Sequence, residues 1–267
     1  VRDWCPYQQS IQKTLKGRIY WKINRFFFNN VISNFSIHFI ANSDYTYGCI
    51  KEYNEKLKTQ LIPNSIKSKF ILSERKSYPE IPTFISIAQG INDPRKNIHT
   101  LLIAFKKMRS KIPARLILVG GYTDAVRDNW EKGNLLKDVQ LKGIMDHDDV
   151  VNLLDSCSVL VHPSLEETFG NILLEGMARR IPVIGGIDSG GVPYVLGEGK
   201  FGVLCNVKDP EDLYAAMEKV LVEKEATRQL INRATCHLIN TYSSDVVGRR
   251  HLMYYKTVVD EFMKQKK

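Results

Sequence analysis

Long apolar runs are missing from this 267-residue chain. No stretch approaches the roughly 18 residues that a membrane-spanning helix requires. Cysteine is scarce. The five residues Cys5, Cys49, Cys157, Cys205 and Cys236 are widely spaced and contain no CxxC pair. An odd, scattered set argues against a disulfide framework or a zinc site and for reduced thiols of the cytosolic kind. The six histidines lack HExxH or any comparable ligand spacing, so no metal site is expected. Neither GxSxG nor GxxxxGKS/T occurs, which removes the nucleophile elbow and the phosphate-binding P-loop. No RNP, KH or zinc-finger signature is present, and nucleic acid is not expected as a partner.

What is present is the composition of an ordinary globular protein, long enough for one large core or two modest ones. The net charge of +9 is unevenly placed: residues 1–80 hold 13 Lys/Arg against 6 Asp/Glu, and the remainder 25 against 23. The basic part includes KTLKGRIYWKINRFFF at residues 13–28, where cations interleave with aromatics. It reads as an amphipathic helix with solvated lysines, or as a peripheral contact with anionic lipid headgroups. The sequence opens on Val1 within VRDWCPY, which reads as the middle of a domain, so a piece of a longer protein is expected.

From about Pro82 onward strand-like and helix-like segments alternate. TFISIA (83–88), RLILVGG (115–121), SVLVHPS (158–164), IPVIGG (181–186) and GVLCN (202–206) are apolar strand runs. Helical patterns follow at about 97–108, from about 146, and at 171–180, and the last 60 or so residues read as three helices. Such alternation predicts an α/β fold with a doubly wound parallel sheet covered on both faces. Residues 1–81 offer two helices and one strand, IHFIANS (37–43), too little to close a sheet, with a hinge between Pro63 and Ser77. The expected domains are 1–66, an incomplete amino-terminal domain; 67–242, a Rossmann-like domain; and 243–267, a helix crossing back.

In doubly wound folds the ligand lies beyond the carboxyl ends of the strands. There, QGINDPRKN brings Arg95 and Lys96 to a helix start, and RLILVGG ends in paired glycines. HPSLEETFGNILLEGMA (162–178) leads from a strand into a helix. A helix amino terminus favours phosphate, and Gly170 carries no side chain to block its approach. Lys96 can add a point charge to a diphosphate, or be merely solvated. Glu175 is about five residues into that helix, roughly 7 Å from Gly170, the span from a diphosphate to the ribose of one nucleotide. A carboxylate on an apolar helix needs donors, and ribose hydroxyls supply them. Glu167, ahead of the helix, would face a sugar on the other side. The competing reading has Glu167 or Thr168 capping the helix and Glu175 exposed. Two further patterns are discounted. GEGKFG (197–202) fits GxGxxG but precedes a strand rather than a helix. DHD (146–148) is placed as an ordinary helix cap.

Taken in order, LIPNSIKSKF, DPRKNIHTLLIAF, RLILVGG, LKGIMDHDDVVNLLDSCSVLVHPSLEETFGNILLEGMARRIPVI and SGGVPYVLGEGKFGVLCNVKDPEDLYAAM resemble the GT-B fold retaining glycosyltransferases with a Glu-x7-Glu motif (glycosyltransferase family 4 type, glycosyl transferases group 1). The likeness extends over about residues 35–265. It implies a cytoplasmic enzyme that takes a nucleotide-diphosphate sugar as donor and a glycan or lipid-linked acceptor, in bacterial surface polysaccharide synthesis. It further implies that Glu167 serves catalysis at the donor sugar and Glu175 binds ribose. Phe169, Gly170, Asn171 and Lys96, with Arg95, would hold the diphosphate, and Gly143 and Ile144 would line the base. No cofactor or metal is implied. The alternative is a non-catalytic nucleotide-sugar-binding module lacking its acceptor half. Ile91 stands where the family often has arginine, Tyr194 where glutamate is frequent after GGVP, and Arg2 where a catalytic-site histidine is common.

Overall fold

Runs of Val, Ile and Leu bounded by glycine and proline form strands buried on both faces, and in the computed structural model they form one sheet. The structure describes residues 22, 23, 26, 30, 31, 37–72, 74, 75 and 77–265. The aromatic-basic segment 13–28 and Arg2 therefore fall almost entirely outside the described residues. The chain divides into two compact units, Val1–Pro63 with Arg250–Lys267, and Asn64–Arg249.

In the first unit, β1 (His38–Ala41) and β2 (Lys58–Leu61) pair in parallel around α1 (Asp44–Tyr53). Ser43 caps α1 reciprocally: its hydroxyl accepts from Thr46 N–H, and its own N–H donates to Thr46 Oγ1. A single strand was expected in this region; the structure has two. KTQL escapes notice because only alternate residues are covered and Leu61 is its one strongly apolar residue.

The second unit carries six parallel strands: β3 (Thr83–Gly90), β4 (Arg115–Gly121), β5 (Val139–Gly143), β6 (Val159–His162), β7 (Val183–Gly186) and β8 (Val203–Cys205). Their order across the sheet is β5-β4-β3-β6-β7-β8. Successive side chains point to opposite faces, so each strand feeds two cores. Phe84, Leu116, Leu118, Val159 and Val161 pack on one side. There they meet α2 (Ile98–Lys111), α3 (Asp124–Lys132) and α7 (Pro210–Val222) through Leu101, Phe105, Trp130 and Met217. Ile85, Ile117, Val119 and Leu160 pack on the other. They meet α4 (His147–Leu154), α5 (Asn171–Ala178) and α8 (Lys224–Tyr242) through Leu154, Leu173, Met177 and Leu238.

A short α6 (Val192–Val195) precedes β8, and α9 (Ser244–Gln265) runs from the second unit into the first. Residues 64–66 and 243–249 cluster with the sheet unit. Ile66 N–H donates to Tyr242 C=O at 2.8 Å and Ser244 Oγ to Ile66 C=O at 2.9 Å, tying the two stretches together. The sequence assigned nothing to α3, whose only buried residue is Trp130; one apolar anchor makes little periodic signal. Among the described residues no helix is long and apolar enough to cross a membrane.

Candidate functional site

The chain starts its sheet at β3, adds β4 and β5 on one side, then crosses to add β6, β7 and β8 on the other. The reversal leaves a crevice between β3 and β6 at their carboxyl ends, where the two following loops diverge. Those loops carry Lys96 and Glu167.

After β3 the chain makes a single 3-10 turn, Pro94–Lys96, capped by the Asp93 carboxylate on Arg95 N–H at 2.9 Å. Asn97 follows with φ 54° and donates its side-chain amide to Val207 C=O at 2.6 Å. This clamp aims Lys96 inward, and its ammonium bonds Glu167 Oε1. Arg95 turns away: its guanidinium pairs with Asp93 at 2.7 Å, so it does not join Lys96. Ile91 is buried in the core and places no cation here.

The loop after β6 is held from three directions. Leu165 N–H donates to Arg95 C=O at 2.8 Å, Gly191 N–H to Glu167 C=O at 2.8 Å, and Ser189 Oγ to Ser164 C=O at 2.6 Å. Phe169, 1% exposed, sets its ring edge-on against Tyr242, with centroids 5.9 Å apart. Glu167 is thereby fixed as a mostly buried carboxylate, its side chain 18% exposed. Burial alone would raise its pKa, but the His162 ring and the Lys96 ammonium more than offset that and hold it at about 2.

Gly170 begins α5 in the left-handed region, φ 82° and ψ 70°, and no side chain caps the helix. A Cβ there would press on Leu173 Cδ1 at 3.1 Å, so the position requires glycine both for its backbone and for space. The Asn171 side chain is engaged by Asn64 at 2.7 Å. The first turn of α5 thus keeps backbone amides that no side chain caps, an arrangement suited to an anion.

Glu175, the fifth residue of α5, is buried. The reading in which it is exposed is excluded. Its Oε1 lies 2.9 Å from Nε2 of His147, the first residue of α4. Burial raises the Glu175 pKa, and the hydrogen bond from His147 partly counters it. Just ahead of α4, Gly143 ends β5 with φ 68°. Ile144 is 82% exposed and reaches within 3.6 Å of where a Gly121 Cβ would stand. An exposed apolar side chain over paired glycines offers a flat surface to a planar ring.

Two histidines of this site escaped the sequence. His162 ends β6 and is 3% exposed, with Nε2 unpartnered and 3.5 Å from Glu167 Oε1. His147 holds Glu175. Both were weighed only for metal spacing, although His162 stands at the carboxyl end of a strand beside the switch point. Of the discounted patterns, DHD leads into α4 at Asp146 without the expected side-chain cap bond, and its middle residue is the His147 that holds Glu175. Asp148 pairs with Lys69 at 3.1 Å. GEGKFG closes a turn, with Lys200 N–H on Gly197 C=O at 3.1 Å. Among the described residues no three His, Cys, Asp or Glu side chains gather as metal ligands would.

The family model for glycosyl transferases group 1 matches residues 72–236. N-acetyl-alpha-D-glucosaminyl L-malate synthase of Bacillus anthracis is 28% identical over 167 residues, covering 62% of this chain and 44% of its own length. This chain spans about half or less of the curated relatives it matches first. Sucrose-phosphate synthase from Thermosynechococcus elongatus superposes with a TM-score of 0.71 at 22% identity, over 83% of this chain and 58% of that one. HepE of Anabaena, solved in complex with UDP and glucose, gives 0.71 at 18% identity, over 82% and 62%. The sheet order, the crevice and these likenesses agree on a GT-B type of fold, and the chain belongs to the glycosyl transferases group 1 family.

Proposed function

We propose that this chain is the donor-binding part of a retaining glycosyltransferase of the Glu-x7-Glu, family 4 type. It would transfer a hexosyl group from a nucleotide-diphosphate sugar to a glycan or lipid-linked acceptor in surface polysaccharide synthesis. The observation that carries the reading is the convergence of Lys96, Glu167 and the uncapped start of α5 at the switch point, with buried Glu175 a turn further on. The diphosphate lies on the Phe169–Asn171 amides and draws the Lys96 ammonium. The ribose hydroxyls donate to Glu175 in place of His147, and the base lies against Gly143 and Ile144. Glu167 accepts from the hydroxyls of the donor sugar. As the bond from the anomeric carbon to the phosphate oxygen breaks, negative charge collects on the departing diphosphate. Lys96 and the amides of α5 stabilise it without reorganising, and we assign no role to a metal. The solved neighbour that holds UDP and glucose supports a uridine donor.

The test is a thermal-shift panel of UDP, GDP and ADP and their sugars. At least one should raise the melting temperature in the presence of EDTA as well as without it, and Glu175→Ala should abolish the shift. No shift with any nucleotide sinks the proposal. Hydrolysis of the bound donor by the purified chain separates a transferase from a non-catalytic binding module.

A further inference from the structure

In this structure the Lys96 ammonium is bonded to Glu167, and a diphosphate, which carries more negative charge than one carboxylate, competes for that single positive charge. When a nucleoside diphosphate takes the ammonium, a carboxylate that is only 18% exposed loses its bonded cation. Burial makes such a loss expensive unless a donor replaces it. One stands ready. His162 Nε2 is buried and lies 3.5 Å from the same Oε1 that Lys96 holds, near enough to help lower the Glu167 pKa but beyond the length of a good hydrogen bond. A closure of roughly 0.7 Å would make it a charge-assisted bond. The ring is fixed as the last residue of β6, with its backbone registered against Gly185, so the movement falls to Glu167. A buried ring nitrogen held at this length, without a good hydrogen bond, is itself unfavourable, which a second state that closes the gap explains.

We propose that His162 is a positioning residue that takes over Glu167 when a diphosphate draws Lys96 away. The exchange keeps Glu167 ionised and accepting in both states, so the donor sugar meets the same acceptor whether or not the lysine has left. Gly170 belongs to the same arrangement: a Cβ there would come within 3.8 Å of His162 Nε2. The inference rests on the nucleotide-sugar reading of the site.

The experiment is a double-mutant cycle on nucleoside diphosphate binding, with UDP, GDP and ADP titrated calorimetrically and folding checked by melting. His162→Leu should weaken binding on the order of tenfold in the otherwise native protein. It should cause no further loss in a Glu167→Gln background, where no charge needs a partner. His162→Gln, whose amide can reach the same oxygen, should stay within about threefold of the native affinity. Where His162→Leu does not fold, His162→Asn, too short to reach Glu167, takes its place with the same expected loss. Equal losses in both backgrounds, or none in either, overturn the exchange while leaving the nucleotide site intact. Failure of the unsubstituted protein to bind any of the three diphosphates overturns the functional reading and this inference with it.

Discussion

Glu167 owes its low pKa, about 2 against an ordinary 4.5, to His162 and Lys96 working against burial. A carboxyl whose folded pKa is depressed contributes stability above its unfolded pKa and loses it as pH falls toward the folded value. The contribution is therefore full above about 4.5 and gone near 2, and is worth on the order of 3 kcal/mol at neutral pH. Glu167→Gln should lower stability at pH 7 by about that much. Its deficit in urea denaturation should shrink steadily as pH falls through this window, and a constant deficit across pH 2–7 would contradict the assignment. Glu175 has the opposite sign. Its pKa is raised by burial, so ionising it costs stability as pH rises past the ordinary carboxylate value. That is the condition of a group waiting for donors other than solvent. The sequence showed where both glutamates stand because strand-end loops and helix starts are legible from pattern. It did not show that each has a histidine beside it: His147 stands 28 residues before Glu175 and only the placing of α4 beside α5 brings it in, while His162, in the same segment as Glu167, was weighed only for metal spacing.

At the scale of elements, α5 sits low on the sheet because Gly176 lets it. A Cβ at that position would meet Leu160 Cδ2 at 2.7 Å and Val183 Cγ2 at 2.9 Å, both on the strands beneath. These neighbours are fully packed, and valine has little rotamer freedom to yield. Gly176→Ala should cost about 1–3 kcal/mol through overpacking, despite the higher helix propensity of alanine. It should also lift Glu175 from its place and weaken nucleotide binding. Differential melting with and without UDP reads both effects, and a stabilised protein with normal binding would refute the close approach. The strands β3, β4, β6, β7 and β8 and the helices α2, α5, α7, α8 and α9 were readable because each carries a run or a period of buried apolar residues. β2 and α3 were not, because a strand of Lys-Thr-Gln-Leu and a helix anchored by Trp130 alone show too little contrast between faces.

For the whole molecule, the excess of cations over residues 1–80 suits contact with an anionic surface. We extend the proposal to a peripheral contact through residues 13–28. Replacing Lys13, Lys16, Arg18, Lys22 and Arg25 by glutamine should reduce co-sedimentation with vesicles containing anionic phosphatidylglycerol. Binding to neutral phosphatidylcholine should be weak from the start, and salt should erode the anionic interaction. Equal sedimentation of the native and neutralised proteins would remove the membrane from the account.

The seam between β3 and β6 has a mechanical meaning. Its ladder runs through Phe84 with Val159 and Ile85 with Leu160, and Thr83 and Ser158 fasten the end away from the site. Toward the site no rung of the ladder continues. The two halves of the sheet are clasped there by the Leu165–Arg95 backbone bond and by the Lys96–Glu167 pair. The unit is thus built like a clothes-peg, sprung at the base and latched at the jaw. An anion that pulled Lys96 from Glu167 would undo one latch as it entered, so ligand and fold would compete for the same lysine.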